Sequence, residues 1–201
     1  MWKALIGIHI ALLCPATAKD PGAAVFEKSC VACHGRKAGG NAELKAPPLA
    51  GLPVWYTTSQ LTRYFKGLRG SHPEDIFGLQ MAAIAEGLTQ AQIKDLATYL
   101  AAIPPIKRPL PKGDPVRGKE LYLERCAECH RFDASGEITF GSAPLARFPP
   151  WYLKLQFGKF KSGQRGYLPA DSIGAKMKGI ASATISKSEL NDVISYISEC
   201  K

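Results

Sequence analysis

The chain has 201 residues, 46% of them apolar and 21% charged, a balance that fits a globular protein and excludes collagen-like or disordered character. Its formal charge of +9 is dispersed, residues 19 to 110 and 111 to 201 each carrying +4. No block of basic residues marks a nucleic-acid arm.

Residues 1 to 18 run from Lys3 through an apolar core, Ala4 to Leu13, to the small-residue triplet Ala16-Thr17-Ala18. This is the layout of a secretory signal peptide cut after Ala18, and its core is too short to cross a bilayer. Export to the periplasm is therefore expected, where association with the outer face of the inner membrane is one outcome. Removal of the segment leaves five cysteines, Cys30, Cys33, Cys126, Cys129 and Cys200. An odd number does not close into a pure disulfide framework.

Asp20-Pro21 reads as a helix cap followed by the proline that a first turn tolerates. The helix it opens leads into "KSCVACHGRK", residues 28 to 37. Positions i, i+3 and i+4 share one helical face, so Cys30, Cys33 and His34 present two thiols and an imidazole to the same side. Two thiols can add to the two vinyl groups on one edge of haem while the imidazole reaches the iron, the chemistry of c-type haem attachment. Trp55-Tyr56 opens a shorter middle helix. Thr89-x-x-Gln92 is a capping box, and the apolar residues 93, 96, 100 and 103 behind it give an amphipathic closing helix.

"IPPIKRPLPKGDP", residues 103 to 115, contains five prolines and reads as an extended strap. Beyond it the pattern returns. Adding 96 to Gly22, Phe26, Cys30, Cys33, His34, Pro48, Trp55, Tyr56, Met81 and Ile84 gives Gly118, Tyr122, Cys126, Cys129, His130, Pro144, Trp151, Tyr152, Met177 and Ile180. At the end the offset becomes 97, with Ile93, Asp95 and Tyr99 matched by Leu190, Asp192 and Tyr196, behind the capping box Ser186-x-x-Glu189. The chain is thus two copies of one unit, without an alternating strand of useful length. The expected division is 1 to 18 signal peptide, 19 to 103 first unit, 104 to 115 linker, and 116 to 201 second unit.

Duplication decides between chemistries. A four-cysteine zinc ribbon needs its pairs about 15 to 20 residues apart, far closer than Cys33 and Cys126, and a thioredoxin-like dithiol needs a strand-helix setting. Two haems held by Cys30, Cys33, Cys126 and Cys129, with His34 and His130 on the irons, are expected. Met81 and Met177 stand at one register, each 47 residues after its histidine, and are the expected sixth ligands. His72 is the rival in the first unit, but Leu168 occupies the matching place in the second.

These residues, with "APPLAGLPVWY" and "MAAIAEGLTQAQIKDLATYL", resemble a class I cytochrome c unit, and the pair resembles the soluble diheme cytochromes of the c-four type. The resemblance implies an all-α fold of two tandem three-helix haem domains. It also implies contact of Gly22 and Phe26 with the last helix near Tyr99, repeated by Gly118 and Tyr122 near Tyr196, and carbonyls of Pro48 and Pro144 accepting from His34 and His130. Departures lie in the second unit, where Arg131 follows the motif in place of Gly35 and "ARFPPWY" replaces "AGLPVWY".

If both irons are six-coordinate, none is open to substrate and outer-sphere electron transfer is the expected function, in a respiratory chain ending at an oxidase or reductase. The expected partners are redox proteins, with no nucleic acid and no small-molecule substrate. Two alternatives remain: a diheme c-type oxidoreductase, which needs an open or unusually ligated iron such as one bound by Lys176 or Lys178, and an electron-accepting subunit of a larger dehydrogenase or reductase complex.

Overall fold

The computed structural model describes residues 20 to 183 and 185 to 200. The signal-peptide assignment lies outside the described residues. Each unit opens with a helix in which aspartate and proline cooperate: α1 (Pro21–Ser29) is capped by Asp20, whose Oδ1 accepts from Gly22 N at 2.8 Å and Ala23 N at 3.1 Å. In the second unit, α6 (Pro115–Arg125) is capped by Asp114 in the same way. One-turn helices follow, α2 (Val31–His34) and α7 (Ala127–His130). The middle helices are α3 (Val54–Phe65) and α8 (Pro150–Lys161), each 12 residues long.

A helix that sequence periodicity did not bring out comes next, α4 (Ile76–Glu86) in the first unit and α9 (Ser172–Ala183) in the second. These carry Met81 and Met177. The closing helices α5 (Gln90–Ala102) and α10 (Lys187–Glu199) start at both expected capping boxes, with Thr89 and Gln92, and Ser186 and Glu189, exchanging side-chain and backbone bonds. Among the described residues there is no strand, only isolated bridges Asn41 to Ala46 and Glu137 to Ser142.

The first and last helices of each unit cross at glycine. A Cβ on Gly22 would lie 2.6 Å from Tyr99 Cβ, and one on Gly118 would lie 3.0 Å from Val193 N, so a side chain at either position would force the helices apart. Phe26 packs on Tyr99 with ring centres 5.8 Å apart, and Tyr122 on Tyr196 at 5.2 Å. The apolar face of α5 closes the first core, where Ile93, Leu96 and Leu100 are buried and contribute about 1.5–3 kcal/mol each. Val193, Ile194 and Ile197 do the same for α10.

The proline strap touches both units. Pro105 lies against Gly51, Arg108 donates to the Cys200 carbonyl at 3.1 Å, and Asp114 N donates to Asp192 Oδ1 at 3.0 Å. The units also share a core, since Leu52 and Tyr56 of the first join the cluster built on Tyr122, Phe148 and Tyr152 of the second. Tyr56 meets Phe148 at 5.8 Å between ring centres.

Candidate functional site

Each first helix breaks at the leading cysteine of its motif. Cys30 has φ −122° and ψ −33°, and Cys126 has φ −128° and ψ −35°. The chain then restarts as a single turn in which His34 N bonds Cys30 O at 2.9 Å and His130 N bonds Cys126 O at 2.9 Å. That turn gives the two cysteines and the histidine their common face. Behind it the backbone needs positive φ, met by Gly35 at 74° and by Arg131 at 65°.

In the first unit, Cys30, Cys33, His34 and Met81 all line a cavity of about 180 Å³. In the second, Cys126, Cys129, His130 and Met177 line one of about 340 Å³. The sequence-expected donors are thus gathered by unit, with the methionine brought in by α4 or α9. Burial, with some help from Cys33, pushes the Cys30 thiol up to about 11. Burial likewise moves Cys126 to about 11 against the pull of Arg125. Both are thiols near neutrality, whereas a bare metal ion is bound by thiolate. Among the described residues, no group of three or more His, Cys, Asp or Glu side chains is gathered to hold such an ion.

Burial lowers the pKa of both histidines, favouring the neutral imidazole. His34 Nδ1 lies 2.8 Å from the Pro47 carbonyl and His130 Nδ1 lies 2.9 Å from that of Ala143. A carbonyl only accepts, so Nδ1 is the donor and Nε2 keeps its lone pair for a metal. The expectation of Pro48 and Pro144 as acceptors is corrected by one residue. A proline restricts the residue before it to extended geometry and thereby aims that residue's carbonyl. The carbonyl of Pro144 is engaged elsewhere, accepting from Arg147 N at 3.0 Å at the start of a 3₁₀ turn, Leu145–Arg147.

His72 lines neither cavity. Its Nδ1 accepts from Glu74 N at 3.1 Å, and its ring meets Tyr167 of the second unit edge-on at 4.7 Å.

The wall between the cavities is polar and was missed in the sequence. Tyr56, Gln60, Tyr152 and Gln156 line both. Arg69 is buried and donates to Gln60 Oε1 at 2.6 Å, Tyr152 OH at 3.1 Å and Gln156 Oε1 at 3.3 Å. Arg165 donates to Gln156 Oε1 at 2.8 Å, and its pKa falls to about 10, first through burial and then through the charge of Arg69. Among the described residues neither guanidinium forms an ion pair with a carboxylate. The signal was present in the repeat: adding 96 to Tyr56, Gln60, Arg69 and Asp75 gives Tyr152, Gln156, Arg165 and Asp171.

Comparison with known proteins gives one consistent result. The family model for cytochrome c matches residues 20 to 104 and again 115 to 201. A thiosulfate dehydrogenase electron acceptor from Thiomonas intermedia is 30% identical over 148 residues, 68% of this chain and 64% of its own. A cbb3-type cytochrome c oxidase subunit CcoP from Rhodobacter capsulatus is 28% identical over 189 residues, 89% of this chain and 61% of its own. The chain therefore spans less than two thirds of either curated relative. Cytochrome c4 of Acidithiobacillus ferrooxidans superposes with a TM-score of 0.68 at 25% identity, covering 86% of this chain and 98% of that one.

Proposed function

Because the chain belongs to the cytochrome c family and contains two of its units, each a covalent haem c domain, we propose that it is a diheme electron carrier of the periplasm, passing electrons between redox proteins and on to an oxidase or reductase. The observation that carries this reading is the grouping of Cys, Cys, His and Met around one cavity in each unit. Residues 19 to 103 and 116 to 201 are the two haem domains and 104 to 115 the strap between them.

Cys30 and Cys33 hold one haem, and Cys126 and Cys129 the other. His34 and His130 offer Nε2 to the irons, steadied through Nδ1 by Pro47 and Ala143. Met81 and Met177, lining the same cavities, would supply the remaining iron donor in each unit. Haem iron provides one-electron ferric–ferrous chemistry, and thioether ligation shifts it toward the reduced state. The protein's own work would be to supply the iron donors His34, Met81, His130 and Met177, to exclude water and to hold the cofactor's carboxylates. Arg69 and Arg165, cationic and without an ion-paired carboxylate among the described residues, suit that last role. No helix among the described residues is long and apolar enough to cross a membrane. The reading places the chain in the periplasm as an exported protein, in keeping with the layout of residues 1 to 18.

A second reading, a diheme oxidoreductase, draws on Lys176, which lines the second cavity beside Met177. A spectroelectrochemical titration with carbon monoxide separates the two. A carrier shows two one-electron haems that leave carbon monoxide unbound when reduced. Ready binding at one haem, or nitrogenous sixth ligation at the second, supports the oxidoreductase.

A further inference from the structure

The N-caps of the two methionine helices are clamped from the opposite unit. Asp75 is 3% exposed; its Oδ1 accepts from Gly78 N at 2.9 Å at the start of α4 and is also paired with Lys159 Nζ of α8, across the domain boundary. Asp171, also 3% exposed, accepts from Gly174 N at 2.8 Å at the start of α9 and is paired with Arg63 of α3. The pairs are mates under the 96-residue offset, which relates Asp75 to Asp171 and Arg63 to Lys159. The arrangement is an isologous exchange within one chain.

Both turns are packed without slack. A Cβ on Gly78 would lie 2.5 Å from Asp75 Cγ, and one on Gly174 would lie 2.6 Å from Asp171 Cγ. Gly70 and Gly166, at φ 74° and 68°, press on the backbones of Gly78 and Gly174 in turn. Each cation also reaches the other unit's cavity, Lys159 lining the first and Arg63 the second. The side chains of Arg63 and Lys159 are 11% and 10% exposed, so removing either cation leaves its aspartate charged at a buried gap.

We propose that Lys159 and Arg63 are crossed positioning residues: Lys159, in the second unit, holds Met81 in place for the first haem, and Arg63, in the first unit, holds Met177 for the second. A buried carboxylate stripped of its cation keeps an uncompensated charge, and it must draw in water or turn its oxygens away toward solvent. Either response weakens its grip on the first turn of the helix, whose start sets the rotation and height of the methionine six residues on. A thioether is a weak, displaceable ligand, so its occupancy reports that loosening. The two haem sites are thereby coupled through protein, each methionine depending on the integrity of the domain interface.

This inference rests on the assignment of Met81 and Met177 as ligands, and one experiment on the intact diheme protein separates the two claims. Met81→Ala and Met177→Ala, with the rate of cyanide binding to each ferric haem followed by the spectrum of that haem, serve as references. If neither opens its haem, the ligand assignment fails. Given that they do, Lys159→Met should raise the cyanide rate at the first haem at least tenfold and leave the second unchanged, and Arg63→Met should do the reverse. Lys159→Arg should keep the wild-type rate. Asp75→Asn/Lys159→Met, which strands no charge but retains a cap acceptor, should restore a rate within about threefold of wild type, and its rate decides the matter if Lys159→Met does not accumulate. Acceleration at the haem of the mutated unit, equal acceleration at both, unchanged rates in both single variants, or a double variant as fast as Met81→Ala would overturn the proposal.

Discussion

The loop after the first haem motif and the loop after the second reach one backbone shape by different means. Gly35 takes φ 74° and ψ 154° at no steric cost, but Arg131 takes φ 65° and ψ 159°, a region that strains any side chain by about 1–3 kcal/mol. The second unit offsets this with hydroxyls. Tyr122 OH donates to Arg131 O at 2.7 Å and Tyr196 OH to Phe132 O at 2.8 Å, while Arg131 itself reaches Glu137 at 2.8 Å. The first unit has Phe26 where the second has Tyr122, so it has no hydroxyl to give there. Duplication has kept the geometry that the histidine needs and let the means of holding it diverge.

The strongest break in that comparison is the loss of one site. Cys126→Ala/Cys129→Ala should retain one haem after acid-acetone extraction, and Cys30→Ala/Cys33→Ala likewise, against two in the unaltered protein by mass spectrometry. Retention of two by either variant removes the attachment assignment.

Removing a methionine proposed as a ligand comes next. Met81→Ala and Met177→Ala should each open one haem to carbon monoxide and lower its potential, while His72→Ala should do neither, because its ring is engaged with Tyr167 and Glu74. Carbon monoxide binding that depends on His72 would exchange the roles.

The loops themselves give a smaller effect. Gly35→Arg should destabilise the first unit by about 1–3 kcal/mol, since the strained residue would meet no tyrosine hydroxyl. Arg131→Gly should be neutral or stabilising in the second, at the loss of an exposed ion pair worth little. Tyr122→Phe should cost about 1 kcal/mol. Guanidinium unfolding followed separately at the two haems measures all three. Equal responses to Gly35→Arg and Arg131→Gly would show that the hydroxyls do not offset strain.

The smallest expected difference is electrostatic. Met177 lies between Lys176 and Lys178, whereas Met81 lies between Gln80 and Ala82. A unit charge about 10 Å away at an effective dielectric near 20 is worth ~1.7 kcal/mol, or ~70 mV, and solvent screening leaves a fraction of it. The second haem should therefore sit tens of millivolts above the first, and Lys176→Gln/Lys178→Gln should narrow the gap in a resolved titration. A widened gap would assign the difference to burial instead.

Local chemistry was legible without coordinates. Cys-x-x-Cys-His places three donors on one turn because a helix repeats every 3.6 residues, and a capping box satisfies its own orphan amides, so both motifs carry their geometry within a few residues. The exact repeat of Met81 as Met177 made a distant residue legible as well, although not the helix on which each rides. What only the tertiary structure decided were relations between segments with no local signature. The histidine acceptors are Pro47 and Ala143, because a carbonyl's direction is set by the proline that follows it. Arg69, Arg165 and the crossed pairs Lys159 with Asp75 and Arg63 with Asp171 read in sequence as scattered surface charge. Their burial exists only once the two units face each other, because the low dielectric that gives those charges their strength is made by the other half of the chain.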